Sequence, residues 1–250
     1  MSTTDAALVT GSSKGLGAAM SRVLAERGYH VYITDHDDHT AADQTADEIR
    51  AIGGQAEVLP LDVTSQRSVR EGFAVIDSSD HRLAVLVNNA ATEVARNIEE
   101  GTFAEWRSVL ATKLDGSWLC TKYALPMLKE AVNPSIVFVT TGDSERPDPQ
   151  YLAYYAATAG VIAMAKALAR SLPRDGIRVN VVSPGPVRTP LWESMRSNDD
   201  QLWRELSEKN PLGRVATPED IAEAVWMLVN DPTRYLNGNV VYVNGGSHLV

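Results

Sequence analysis

Short runs of apolar, largely β-branched residues alternate along this chain with longer stretches whose apolar positions recur every three to four residues. The first pattern predicts strands and the second predicts amphipathic helices. Strands are expected over 6–10, 30–34, 56–59, 83–87, 135–140, 177–182 and 239–243. Helices are expected over 15–27, 40–52, 65–79, 102–129, 151–172 and 217–229. Each strand after the first is reached through a helix. Right-handed crossovers then give an α/β fold, a doubly wound seven-stranded parallel sheet with helices on both faces. No repeat, low-complexity segment or linker marks a second domain, so residues 1–250 are expected to form one. The irregular stretch is 188–214, where Trp192, Met195 and Trp203 sit in a helical-looking insert that is either local core or a lid over a pocket.

Composition narrows the class without naming a function. The 250 residues are 44% hydrophobic and 22% charged, as in ordinary globular chains. A formal charge of -9 argues against a nucleic-acid footprint and against anionic membrane surfaces. The one cysteine, Cys120, allows no intrachain disulfide and fits a reducing cytoplasm. The segment before Ala6 is short and polar, without a signal pattern, and no apolar run approaches the roughly 20 residues that span a bilayer. No His/Cys cluster has metal-ligand spacing, and His36 and His39 read as surface residues, so no metal is expected.

Four motifs carry chemistry. The turn Thr10-Gly11-Ser12-Ser13-Lys14-Gly15-Leu16-Gly17 follows a predicted strand and opens a predicted helix. There Gly11 permits a tight turn, while Gly15 and Gly17 admit a pyrophosphate against the helix N-terminus. Asn88-Asn89-Ala90-Ala91, Ala153-Tyr154-Tyr155-Ala156-Ala157-Thr158-Ala159-Gly160-Val161 and Pro184-Gly185-Pro186-Val187-Arg188-Thr189-Pro190 follow in order. Together they closely resemble the short-chain dehydrogenase/reductase family, from Ala6 to Gly246. The resemblance implies a Rossmann fold, a nicotinamide cofactor and oxidoreductase activity.

The cofactor residues implied are Gly11, Ser13, Lys14, Gly15, Leu16, Gly17, Asp35, Asp62, Val63, Asn89, Ala90, Ala91, Pro184, Gly185, Val187 and Thr189. Asp35, at the end of the second strand, would accept hydrogen bonds from a ribose 2′-hydroxyl and repel a 2′-phosphate. Lys14 is the contrary sign, since a basic residue there assists phosphate binding in NADP-using relatives. His36, Asp37 and Asp38 bring no arginine, and NAD is the expected cofactor. Asp62-Val63 resembles the adenine-contacting pair. Asn88 and Asn89 resemble the family's Asn-Asn-Ala-Gly and could equally just tie strand ends. Thr189 resembles the hydroxyl that holds the nicotinamide carboxamide.

The resemblance fails at one place. The family's Tyr-x-x-x-Lys reads Tyr154-x-x-x-Thr158, and with Tyr155 as the tyrosine, the alternative register, Ala159 follows. In that motif a lysine one turn on shares the tyrosine's face and lowers the phenol pKa from about 10. Thr141 stands where the family has serine, with Thr140 as the fallback, and both could be mere strand threonines. Lys113, in Lys113-Leu114-Asp115-Gly116, stands where the family has asparagine. It shares a helical face with Val109, Leu110, Gly116, Ser117 and Cys120, where an ammonium is costly to bury unless its charge is answered. Two readings stay open: a solvated surface charge, or a relocated cation reaching toward Tyr154 while Thr158 touches the ribose.

Beyond this site, the charged loop 142–149 and the pair Glu93 and Arg96 suit either a solvated rim or a polar substrate anchored by Arg96 or Arg146. The leading expectation is an NAD-dependent oxidoreductase acting on an alcohol or carbonyl. The alternatives are a non-redox enzyme (dehydratase, isomerase or cyclase) using Lys113 and Tyr154, and a catalytically silent NAD-binding protein. Relatives are commonly homotetramers; a tetramer is expected here, with a dimer as runner-up.

Overall fold

A computed structural model describes residues 4–142, 147–195 and 199–249. Among them, one sheet comprises β1 Asp5–Val9, β2 His30–Asp35, β3 Gln55–Pro60, β4 Arg82–Asn88, β5 Ser135–Val139, β6 Arg178–Pro184 and β7 Val240–Val243. All pairs are parallel, in the order β3-β2-β1-β4-β5-β6-β7. Between the strands run α1 Gly15–Glu26, α2 His39–Ala51, α3 Gln66–Asp77, α4 Phe103–Leu110, α5 Gly116–Lys129, α6 Leu152–Ser171, α7 Pro190–Met195, α8 Asp200–Lys209 and α9 Pro218–Val229.

Strands paired on both edges and covered on both faces must be apolar almost throughout. Successive side chains serve opposite faces. Ala7, Val9, Val31 and Ile33 pack with Met20 and Leu24 of α1 and with Ile221 and Val225 of α9. Ala6, Leu8, Tyr32 and Phe138 pack with residues of α3, α5 and α6 on the other face, among them Phe73, Ala124 and Val161. The strand order reverses between β1 and β4, and a crevice opens beyond the carboxyl ends of such strands.

The helix expected over 102–129 differs from the one observed. Thr102 and Glu105 form a reciprocal capping box that starts α4. The helix then widens into a π-turn, Ala111–Asp115, before resuming as α5. Gly116 N–H donates to the Ala111 carbonyl, five residues back. A Cβ on Gly116 would stand 2.9 Å from Val63 Cβ, so helix and cleft floor touch backbone to side chain. One continuous apolar stripe crosses this region, which hides the wider turn from a reading of the residues alone.

The insert folds as α7 and α8. Trp203 is buried, its ring 5.3 Å from that of Trp192, and the Arg188 guanidinium lies 5.2 Å over it. The insert is therefore partly core and partly cover: Trp203 anchors it and Trp192 faces a pocket. The Met195 side chain lies outside the described part. One sequence expectation needs amending: α6, with a mean hydropathy of 1.4, is long and apolar enough to cross a membrane. Its Val161, Ala165 and Ala169 pack in the core beneath β5 and β6.

Candidate active site

The crevice is framed by backbone. The chain leaves β1 through Gly11 and Gly15, with φ values of 63° and 60° that L side chains rarely adopt. A Cβ on Gly17 would strike the Gly11 carbonyl and stand 2.6 Å from Ser12 Cα. Only hydrogen fits there, so α1 enters close to the sheet. Asn89 Nδ2 donates to the carbonyls of Thr10 and Gly11, both at 3.0 Å. Thr10 Oγ1 accepts from Asn89 N–H at 2.9 Å and Ala90 N–H at 3.0 Å. The end of β4 is thus stapled to the turn. No side chain caps α1, so its first amides remain available to an anion.

A cleft of about 630 Å³ lies over this frame, lined by Gly11, Ser13, Lys14, Gly15, Leu16 and Gly17, by Asp35, Asp62, Val63, Asn89, Ala90 and Ala91, and by Thr189. At its adenosine end, Asp35 accepts from Ser13 Oγ at 2.7 Å and from Asp38 N–H. Asp38 caps α2 and holds the Lys14 ammonium at 3.2 Å. The Ala41 amide, followed by Lys14, keeps the Asp38 carboxyl below the usual range. Asp62 Oδ1 accepts from Thr64 N–H and Oγ1 at 2.9 and 2.7 Å.

A second, smaller pocket of about 90 Å³ adjoins the cleft, sharing Leu16, Thr189 and Leu191 with it. Thr140, Thr141, Tyr154, Tyr155, Pro184, Gly185 and Val187 line it, together with Glu93, Tyr151 and Trp192. Tyr154 and Tyr155 stand edge to face at 6.4 Å. The Thr140 hydroxyl donates to the Val182 carbonyl at 3.3 Å and lies 3.3 Å from Ser183 Oγ. Of the two threonines, Thr140 is therefore engaged with β6, and Thr141 stands at the mouth of β5.

Lys113 is 1% exposed. Its Nζ donates to the Asn89 carbonyl at 3.3 Å, directly beneath the cleft. Burial alone pushes its pKa down from 10.5 to about 7. Its own carbonyl accepts from Ser117 Oγ at 2.6 Å.

Residues 11–248 match the family model described as Enoyl-(Acyl carrier protein) reductase. The chain is a short-chain dehydrogenase/reductase. It is 30% identical over 249 residues to the 3-oxoacyl-(acyl-carrier-protein) reductase FabG of Staphylococcus aureus (strain N315), covering 100% of both. It is 32% identical over 246 residues to the uncharacterized oxidoreductase YxbG of Bacillus subtilis (strain 168), covering 96% of this chain and 89% of that one. A putative gluconate dehydrogenase from Agrobacterium tumefaciens superimposes with a TM-score of 0.92 at 29% identity, covering 99% of this chain and 97% of the other. A putative NAD(P) dependent gluconate 5-dehydrogenase from Beutenbergia cavernae, with bound NADP at low occupancy, gives a TM-score of 0.91 at 29% identity, covering 99% and 98%. The chain is thus an oxidoreductase of a family that takes nicotinamide cofactors. The cradle fits one: the missing Cβ of Gly17 and the uncapped amides of α1 leave room and donors for a pyrophosphate.

Within this short-chain dehydrogenase/reductase the expected cofactor residues gather around one cleft, with Pro184, Gly185 and Val187 on its catalytic side. Both readings of the asparagines have a place. Asn88 Nδ2 donates to Thr121 Oγ1 at 3.2 Å within the core, while Asn89 braces the glycine turn. Lys113 points inward, not to solvent. Thr158 departs from expectation. It is wholly buried, its hydroxyl donates to the Tyr155 carbonyl at 3.1 Å, and it lines neither cavity, so it is not placed to touch a ribose. A β-branched residue mid-helix bonds back to its own turn, which is what removes it. Arg96 follows the rim reading: its Nε lies 3.5 Å from Glu105 Oε1, beside a separate groove of about 510 Å³ between α4 and α6. Arg146 lies outside the described residues. Sequence reasoning missed Tyr151, Thr112 and Leu191 as lining, while Trp192, read from its aromatic insert as core or lid, is a pocket wall.

Proposed function

We propose that this short-chain dehydrogenase/reductase uses NAD(H) to interconvert an alcohol and a carbonyl on a small, polar substrate. The observation that carries it is the meeting of Tyr154 and Thr141 in one pocket that opens into the cofactor cleft at Thr189. A bound nicotinamide supplies a two-electron hydride acceptor or donor. In the oxidation direction Tyr154 takes the proton of the substrate hydroxyl, and in reduction it returns it. Thr141 donates a hydrogen bond to the same oxygen and fixes its position. Trp192 covers the pocket and keeps water from it.

For NAD, the support is electrostatic. Asp35, Asp37 and Asp62 surround the adenosine end, and Lys14 is neutralised by Asp38. A 2′-phosphate would meet carboxylates and no free cation among the described residues. For a small polar substrate, the support is the pocket's size and its hydroxyls and carboxylate (Thr141, Tyr151, Tyr155 and Glu93). We also propose a homotetramer, with a dimer as the lesser assembly. Much of α6 is left uncovered although the helix is apolar, and Trp118 and Phe103 stand exposed on the helices beside it. The lone buried cysteine supports a cytoplasmic protein, and the acidic balance supports neither nucleic acid nor membrane as a partner.

The test pairs NADH and NADPH binding, read by nicotinamide fluorescence, with initial rates on gluconate, simple polyols and a 3-oxoacyl thioester. NADH should bind at least about tenfold more tightly than NADPH, as expected when one charge faces another at short range. Turnover should favour the hydroxylated substrates. Tighter NADPH binding would overturn the NAD assignment, and preference for the thioester would overturn the substrate class.

A further inference from the structure

One helical turn beyond Tyr154, on the same face of α6, the side chain is the short, buried Thr158. The helix therefore brings no charge to the tyrosine at that position. Its Lys166 is exposed and lies about 18 Å along the helix at 1.5 Å per residue. The π-turn that packs against α6 carries a buried cation, Lys113. The π-turn is wedged between the cleft floor and α6: Gly116 abuts Val63, and a Cβ on Gly160 of α6 would stand 3.1 Å from the Leu114 side chain. Lys113 lies on the buried side of this turn. The amine ends against the Asn89 carbonyl, under the cleft that shares its walls with the Tyr154 pocket.

Burial makes the position demanding. Lys113 is buried as deeply as the apolar core, and only desolvation moves its titration to about 7. An ammonium there is costly until an anion answers it. The anion that the working state of this site generates is a phenolate. Each ion then lowers the cost of the other, and the proton belongs to the pair. This account rests on Tyr154 being the acid/base group of the preceding subsection.

We propose that Lys113, delivered by the π-turn in place of a lysine on α6, is the positive charge that brings Tyr154 into its working ionisation range. Lys113 acts through Tyr154, so its effect is on when the phenol ionises.

Phenolate difference absorbance, followed against pH, tests this in the free protein and with NADH bound. The samples are the wild type, Tyr154→Phe, Tyr155→Phe, Lys113→Met and the exchange variant Lys113→Asn/Thr158→Lys. In the wild type one phenol should ionise at least about one pH unit below the others, the size of a neighbouring-charge effect. That early step should vanish in Tyr154→Phe, persist in Tyr155→Phe, move up by at least about one unit in Lys113→Met, and return in the exchange variant. An unmoved step in Lys113→Met overturns the proposal. If Lys113→Met does not fold, a wild type whose titration is the same as that of Tyr154→Phe overturns it equally. The titration needs no substrate, so it is separable from the redox assignment. An early phenol with no turnover of any substrate in the panel sinks the oxidoreductase chemistry and leaves the Lys113–Tyr154 pair standing. Turnover without an early phenol does the reverse.

Discussion

The large cleft over the glycine turn and the pocket around Tyr154 share Leu16, Thr189 and Leu191, yet they are built in opposite ways. The cleft is made of backbone and of side chains that are missing. Gly11, Gly15 and Gly17 shape it, Asn89 fastens it, and its donors are helix amides. The pocket is made of side chains arriving from separate segments: Thr141 beyond β5, Tyr154 on α6 and Trp192 on α7. A missing Cβ has one place to be missing from. A charge can be carried in from another helix, provided that its head reaches the same space. The first region should therefore be intolerant in position and the second tolerant of exchange.

The largest effect expected falls on the pocket. Tyr154→Phe should lower kcat by about 10²–10⁴, the range for removing a general acid/base. Tyr155→Phe, whose ring lies 6.4 Å away in the same pocket, should stay within about tenfold under the same principle. Steady-state rates of both variants with NAD settle it. The reverse ranking would move the acid/base to the neighbouring residue and break the link to Thr158 and the π-turn.

Next comes the cleft. Gly17→Ala introduces a Cβ 2.6 Å from Ser12 Cα and into the Gly11 carbonyl, both backbone atoms that cannot swing aside. NADH affinity should fall about ten- to a hundredfold, from an overpacking cost of about 1–3 kcal/mol, with the fold retained by circular dichroism. Unchanged affinity would mean that the turn can relax, and the contrast between the two regions would fail.

That contrast also explains what the sequence made legible. Strand and helix positions were readable to within a residue or two because parallel strands are apolar on both faces and their helices keep a 3.6-residue stripe. The glycines of the first turn were readable because glycine at a positive φ, or at a contact with backbone, is a local necessity. Thr158 was legible as a loss, since the register does not matter to it. Its own hydrogen bond to Tyr155 was not, because a threonine's choice between its own turn and a ligand depends on space. The break at Ala111–Asp115 was hidden for a similar reason: a π-turn alters where a stripe points without altering the stripe. Arg96 carried a charge in the right part of the chain, and only the fold shows it paired with Glu105.

A pH-dependent effect on stability follows from Lys113. Its pKa is lowered in the free folded protein to about 7 from 10.5, so above pH 7 the unfolded chain binds a proton that the native state does not. Stability should therefore rise with pH between about 7 and 10.5, by up to about 1.4 kcal/mol per pH unit from this group. Below pH 7 the contribution is flat, since the lysine is charged in both states. Urea unfolding of the wild type and Lys113→Met across that range isolates it, because the difference removes every other titrating group. A difference independent of pH would place the amine in water and return Lys113 to the surface.

The smallest effect expected belongs to Asp38, and it sharpens the comparison from the cleft's side. Asp38 stands beside the cleft's backbone frame and holds Lys14 at 3.2 Å through a side-chain charge. Asn caps a helix as well as Asp does, so Asp38→Asn keeps the start of α2 and frees the lysine. Both partners are largely exposed, and NADPH affinity should improve by no more than about fivefold, the ceiling for an exposed ion pair, with NADH affinity unchanged. Adding Lys14→Met should remove the gain. If Asp38→Asn instead reversed the preference for NADH, a movable charge and not the frame around Asp35 would govern the cofactor, and the cleft would be as exchangeable as the pocket.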